Sequence, residues 1–289
     1  MARAADLTAT GNGRIVAGGR WSPFHPLDHM TETQRAVALV TGASRGVGRG
    51  IAAALADAGM RVFASGRTIG QTALTEGVER VDCDHTDDEA VARLFMRVEA
   101  ECGGLDVLVN SAWGGYERMV EAGRFTWAAP FWEQPLWRWD AMITAGVRSA
   151  FVASQLAART MVVARRGLIV NISHWAAQKR IGNTMYGIAK AATDKLTSDA
   201  AVELRPHGVT MVSLYPGLVR TEAVLAAGIF DLSNSESPEF SGRAVAALAA
   251  DPDLLALSGS TLVAAALAQR YGFTDTDGRS PRPLTLDEV

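Results

Sequence analysis

Cysteine is almost absent. Cys83 and Cys102 are the only two in 289 residues, which excludes a disulfide framework and leaves no Cys-rich metal site. A reducing, cytoplasmic setting is therefore expected. Long apolar runs are missing too: no stretch reaches the roughly 18 uninterrupted residues a membrane span needs, and the residues before Arg35 lack the apolar core of a secretory signal. Nor is there an excess of either charge. The 28 Lys and Arg stand against 31 Asp and Glu, for a net charge of -3, and the bases are mixed along the chain rather than gathered into a stripe, which argues against nucleic acid. No second and third ligand accompanies His85 at metal-binding spacing, so no metal is expected. A small-molecule partner is the remaining default.

Residues 1–34 are rich in Gly, Ala, Arg and Thr with little periodicity and read as a disordered N-terminal extension. The segment ends near a second methionine, Met30, so a start-site extension is one reading; its several arginines and few acids make a transit peptide another. From residue 35 to 289, apolar runs and helical periods alternate in one domain. Strands are expected at Ala36–Thr41, Arg61–Ser65, Leu105–Asn110, Leu168–Ile172 and Val209–Leu214, with Leu257–Val263 as a closing strand. Helices are expected at Gly46–Ala58, Asp88–Glu101, Trp139–Val163 and Tyr186–Arg205. Repeated strand–helix units with short aliphatic strands predict an α/β fold: a Rossmann-like, doubly wound parallel sheet with helices on both faces.

Two segments break the alternation. Trp113–Trp139 carries Trp113, Tyr116, Phe125, Trp127, Phe131, Trp132, Trp137 and Trp139 after a strand's carboxyl end, where such sheets bind ligands. It either walls an apolar substrate pocket, with Trp113 as a candidate substrate contact, or packs as an aromatic loop or subunit contact. Gly217–Glu239 is polar and carries Gly, Ser and Pro, which suits a mobile lid.

The run Thr41-Gly42-Ala43-Ser44-Arg45-Gly46-Val47-Gly48 follows a strand and opens a helix, the context a phosphate-binding loop needs. Gly42 permits the tight turn, Gly46 lets the backbone approach a pyrophosphate, and Gly48 allows close helix packing while the helix N-terminus faces the phosphates. Downstream, Tyr186 and Lys190 are four residues apart and share one helical face. A lysine ammonium beside a tyrosine hydroxyl stabilises the phenolate and lowers its pKa from about 10, and a phenol so tuned can exchange protons with a carbonyl or alcohol. At the end of the second strand, where an acid would accept hydrogen bonds from an NAD ribose, stands Gly66-Arg67. Arg67 with Arg45 would grip a 2′-phosphate, so NADP(H) is expected, with NAD as the alternative.

The spacing TGxxxGxG, with Asn110-Ser111-Ala112, YxxxK and Pro216-Gly217, resembles the short-chain dehydrogenase/reductase family from about residue 36 to 263. Phe131-Trp132-Glu133, Leu257-Ser258-Gly259, Arg270-Tyr271-Gly272 and Asp277-Gly278-Arg279 extend a closer resemblance to one branch almost to the carboxyl end. The resemblance implies carbonyl reduction on steroid-like apolar substrates and a homodimer or homotetramer. It places Ser44 and Val47 in the nucleotide loop, Asp84 and His85 beside the adenine, and Asn110 and Ala112 along the nucleotide groove. Pro216, Gly217, Val219 and Thr221 would stand near the nicotinamide or diphosphate. It also makes Tyr186 the proton donor and Lys190 its tuning base and ribose contact, with a serine holding the substrate oxygen. Counting thirteen residues back from Tyr186 selects Ser173; aligning on Asn171 puts His174 there instead. Ser173 is the expected residue, with His174 as a substitute donor. Where the family supplies an asparagine for a proton-relay water, this chain has Gly146. That departure leaves a rival reading open, a nucleotide-binding regulatory module with little turnover.

Overall fold

The computed structural model describes residues 35–289; the expectation for residues 1–34 lies outside them. Its centre is a run of five aliphatic and β-branched residues, Val37–Thr41 (β1), all buried, as a strand covered on both faces must be. The chain continues through α1 (Gly46–Asp57), β2 (Arg61–Gly66), β3 (Val78–Asp82), α2 (Asp88–Cys102) and β4 (Val107–Asn110). A small antiparallel hairpin, β5 (Val120–Glu121) with β6 (Arg124–Phe125), then precedes one long helix. That helix has an α-turn at Trp137–Trp139 (α3), a π-helical stretch at Asp140–Arg148, and a regular portion at Ser149–Ala164 (α4). There follow β7 (Gly167–Ile172), α5 (Thr184–Leu204), β8 (Val209–Tyr215), β9 (Leu218–Val219), α6 (Glu222–Ala227), β10 (Ser235–Glu236), α7 (Pro238–Ala249), β11 (Thr261–Val263) and α8 (Ala264–Tyr271).

Seven strands form one sheet in the order β11-β8-β7-β4-β1-β2-β3, every pair parallel. The Rossmann-like architecture is as the alternation predicted. Alternate residues of each strand point to opposite faces. Ala38 and Val40 join Val62, Val109 and Val170 in a core with Ile51 and Leu55 of α1, Phe240 and Leu248 of α7 and Leu267 of α8. Leu39 joins Phe63, Leu108 and Ile169 in the opposite core with Leu94 and Val98 of α2, Ala157 and Met161 of α4 and Ala201 of α5. Strand order reverses between β1 and β4, so their carboxyl ends open the crevice in which such sheets bind ligands.

Beside the two-residue strands β5, β6, β9 and β10 and the short helix α6, three elements escaped the sequence reading. β3 alternates Val-Glu-Arg-Val and is only half-buried, as an edge strand is. α7 begins inside the segment expected to be a lid, where Ser237 accepts from Phe240 N; α8 is a short Ala-rich helix. The closing strand begins at Thr261 rather than Leu257, because Leu257 ends a 3₁₀ turn and Gly259, at φ +85°, interrupts the extended backbone.

Gly217–Glu239 is held at its base. β9 pairs with β10, and Arg220 donates to Ser235 O at 2.8 Å and to the Asp275 carboxylate at 2.9 Å. The aromatic insertion is pinned by Arg138, fully buried, which donates to the carbonyls of Thr126 and Arg118 and to Gln134. Among the described residues, no helix is long and apolar enough to cross a membrane.

Candidate active site

The glycine loop is joined to β4 through Thr41, whose hydroxyl accepts from the backbone N–H groups of Ser111 and Ala112, each at 3.1 Å. This draws Gly42, at φ +66°, so close that a Cβ there would lie 2.5 Å from Ala112 Cα; only glycine satisfies both the left-handed backbone and the contact. At the amino end of α1, Gly46 N–H donates to the Glu222 carboxylate at 3.1 Å, Arg49 pairs with the same carboxylate at 2.7 Å, and Arg45 is ion-paired with Glu117. Acidic side chains thus occupy the places where a helix N-terminus and its flanking cations attract anions.

Ser44 packs on Gly66, where a Cβ would meet its Oγ at 2.5 Å. The residues that follow each, Arg45 and Arg67, therefore belong to one corner of the crevice. Next to it, burial works to raise the Asp84 carboxyl, but hydrogen bonds from Thr86 and the charge of Arg67 hold it below its ordinary value. His85 is buried with Nε2 3.0 Å from Ser65 Oγ; burial and Arg67 push it down to about 4, so it is a neutral ring locked to β2. Its side chain anchors the strand, leaving its backbone beside Asp84.

Asn110 is buried at the end of β4. Its amide donates to Asn171 Oδ1 at 2.8 Å and Ser154 Oγ at 2.9 Å, and Asn171 donates in turn to Thr197. This polar network links β4, β7, α4 and α5 beneath the crevice. Across it, Val219 is buried, Val47 is half-buried, and Thr221 caps α6 with its methyl against Gly46. Pro216-Gly217 leads into β9, and the Gly217 turn rests on Glu236. Burial pushes that carboxyl up to about 8 despite hydrogen bonds from Gly217 and Ser241.

Asn183 fixes the start of α5, its side chain accepting from Tyr186 N at 2.9 Å. Tyr186 is 6% exposed, and four rings surround it: Trp113, Tyr116, Trp127 and His174, with centroids 5.4–6.1 Å away. Tyr116 Oη donates to Tyr186 Oη at 3.1 Å. Lys190 lies on the same helical face, as the spacing predicted, yet its charge is directed elsewhere. Its Nζ donates to Ile172 O at 3.1 Å and sits 4.0 Å from the Trp113 ring centroid. Burial raises the Tyr186 phenol well above 10 and lowers Lys190 to about 8. The expected lowering of the Tyr186 pKa is thus not realised here: helical spacing sets which face a side chain occupies, while desolvation sets the sign of its shift.

The two candidates at the end of β7 point apart. Ser173 is buried, its hydroxyl donating to the Lys190 carbonyl at 3.4 Å. His174 faces Tyr186, and its Nδ1 accepts from Ala176 N–H at 3.0 Å. Burial and the neighbouring Lys190 hold it down to about 4. It is therefore a neutral imidazole with its proton on Nε2. Gly146 lies within the π-helical stretch, and a Cβ on it would be 2.8 Å from Trp113 Cε3. An indole packs where an asparagine side chain would start.

A profile of the family described as short chain dehydrogenase matches residues 36–228. The chain belongs to the short-chain dehydrogenase/reductase family. This dehydrogenase/reductase is 43% identical over 266 residues to mouse "Dehydrogenase/reductase SDR family member 1", covering 84% of each chain. It is 42% identical over 277 residues to the human protein of that name, covering 88% of this chain and 87% of the relative. A solved structure titled "short chain dehydrogenase/reductase family protein" superposes with a TM-score of 0.65 at 31% identity, covering 81% of this chain and 97% of the other. This is accordingly an NAD(P)-dependent oxidoreductase of small molecules. Its crevice fits the dinucleotide. At the amino end of α1, Gly46 N–H already holds a carboxylate as a phosphate would be held.

Proposed function

We propose that this enzyme moves a hydride between NADP(H) and the carbonyl or secondary alcohol carbon of a small apolar substrate, as a cytoplasmic homodimer or homotetramer. The observation that carries the reading is Tyr186, buried among aromatic rings at the end of a crevice whose other end is a glycine-lined helix N-terminus. Bound there, the nicotinamide would give or take the hydride. The N–H groups of Ser44, Gly46 and Val47 would hold the diphosphate after Glu222 swings away. Asp84 and His85 would border the adenine, Asn110 and Ala112 the groove, and Pro216, Gly217, Val219 and Thr221 the nicotinamide side. Lys190 would leave the Ile172 carbonyl for the ribose.

The 2′-phosphate would be held by Arg67 and by Arg45 once it releases Glu117, through charge-assisted bonds worth about 1.5–3 kcal/mol. Arg67→Ala is accordingly expected to raise the Kd for NADPH by about 10- to 100-fold and leave that for NADH unchanged, measured by quenching of intrinsic fluorescence. Equal losses for both cofactors would remove Arg67 from the phosphate site.

In reduction, Tyr186 Oη would give its proton to the substrate oxygen while a second donor steadies that oxygen. We assign the second donor to His174 rather than Ser173. The Ser173 hydroxyl already donates into α5, whereas His174, with Nδ1 engaged by Ala176, presents Nε2–H on the Tyr186 side. His174→Ala should lower kcat/KM by about 10²-fold, as loss of one oxyanion donor does, with Ser173→Ala within a few fold of wild type. The reverse ranking would restore Ser173. Trp113 and Trp127 would wall the apolar pocket. Oxidation of NADPH by a panel of ketones tests the whole reading; a nucleotide-binding module would show only thermal stabilisation by the ligand.

A further inference from the structure

Tyr116, from the aromatic insertion, is the polar partner of Tyr186 that the sequence did not reveal. Its hydroxyl lies 3.1 Å from Tyr186 Oη, its ring is held between Trp113 and Trp127 at 5.9 and 5.5 Å, and its loop is fixed by the buried Arg138. At Gly146, where a side chain would offer a polar relay, the Trp113 ring packs instead. We propose that Tyr116 is a second catalytic phenol, which donates its hydrogen bond to Tyr186 Oη and stabilises the phenolate left when Tyr186 gives its proton to the substrate oxygen.

The inference rests on Tyr186 being the proton donor proposed above. Two neutral hydroxyls can each donate to the other, but once Tyr186 is a phenolate it has only lone pairs to offer, so the bond must run from Tyr116 to Tyr186. The Tyr186 O–H bond breaks as the substrate O–H bond forms, and the Tyr116 proton stays on its own oxygen. A hydrogen bond to a charged group is stronger than one between neutral groups. The contact therefore strengthens as the reaction proceeds, which is the condition for it to raise kcat. The pair also titrates as a unit: its first proton leaves more easily than from either phenol alone, and its second with more difficulty.

This can be read without cofactor or substrate. The chain has four tyrosines. Tyr215 is bonded to Asp194 and Tyr271 to Asp251, and burial with these carboxylates holds both phenols far above their ordinary value. Burial pushes Tyr116 up as well, but only to about 12, because its bond to Tyr186 works against the shift, so the first tyrosinate absorbance step on raising the pH belongs to the Tyr116–Tyr186 pair. In Tyr116→Phe, which removes one oxygen and keeps the ring, that step should move up by about one to two pH units, and Tyr186→Phe should move it up as well. With a ketone and NADPH, Tyr116→Phe should lose about 10- to 100-fold in kcat with KM little changed. A first step at the wild-type pH in Tyr116→Phe would overturn the assignment, whether or not wild type reduces ketones. An inert wild type whose titration still shifts would instead sink the reductase reading and leave the phenol pair standing. A melting temperature equal to wild type shows that Tyr116→Phe is folded; should it fall, Tyr116→Leu, which keeps an apolar side chain and offers no donor, must give the same upward shift.

Discussion

Replacing Tyr186 by phenylalanine is expected to lower kcat/KM by about 10²- to 10⁴-fold, the range that a positioned general acid contributes. Cofactor binding should be almost unchanged. The substitution removes one oxygen whose only hydrogen-bond partner among the described residues is Tyr116, and leaves the ring packed against Trp113, Trp127 and His174. Lys190 keeps its contacts with Ile172 and Trp113. NADPH at about 100 times its Kd should therefore still stabilise the variant by about 2.7 kcal/mol, as it does wild type. Thermal shift and NADPH oxidation measured on one preparation separate the two effects. Turnover within tenfold of wild type in Tyr186→Phe would end the proposal that this phenol supplies the proton.

Much of this site is written locally. The glycine loop is legible because Gly42 answers a backbone demand, a left-handed φ against Ala112, and only one residue type meets it. Tyr186 and Lys190 are legible as a pair because a helix repeats every 3.6 residues. What a side chain meets across the crevice is a tertiary matter. Nothing in the order of residues brings Tyr116 to Tyr186, seventy positions away, or turns Lys190 toward a strand carbonyl instead of the phenol. The acids Glu117 and Glu222 on the nucleotide-facing groups were equally hidden. The choice between Ser173 and His174 hung on one residue of register, which alternates faces along a strand; counting alone could not resolve it. Beyond the site, α7 and α8 are short and rich in alanine and the edge strand β3 mixes valine with charged residues, so none of them offers the run of large apolar side chains that marks an element in the sequence.

Asp275→Ala is expected to be the most destabilising change outside the crevice. Asp275 lies four residues beyond α8 and is 1% exposed. Its carboxylate accepts from Arg220 Nη2 at 2.9 Å, from Ser237 N at 2.8 Å and from the Ser237 hydroxyl. Removing one partner of a buried ion pair leaves the other uncompensated, at a cost of about 3–5 kcal/mol. At about 2–4 °C per kcal/mol for a chain this large, the melting temperature should fall by roughly 6–20 °C. Asp277, which also reaches Arg220 but is 39% exposed, is the internal comparison: Asp277→Ala should leave the melting temperature close to that of wild type, since exposed ion pairs contribute little. The position of Arg220 gives the loss a functional side. It stands between Val219 and Thr221, two of the proposed cofactor contacts, and its N–H is bonded to Glu236 O at 2.8 Å. Freed from Asp275, the β9–β10 pair that carries these residues loses its tie to the C-terminal segment, so Asp275→Ala should also weaken NADPH binding while Asp277→Ala does not. Melting curves with and without NADPH decide this. Equal losses for the two variants would mean that Arg220, rather than the buried Asp275, sets the stability of this corner.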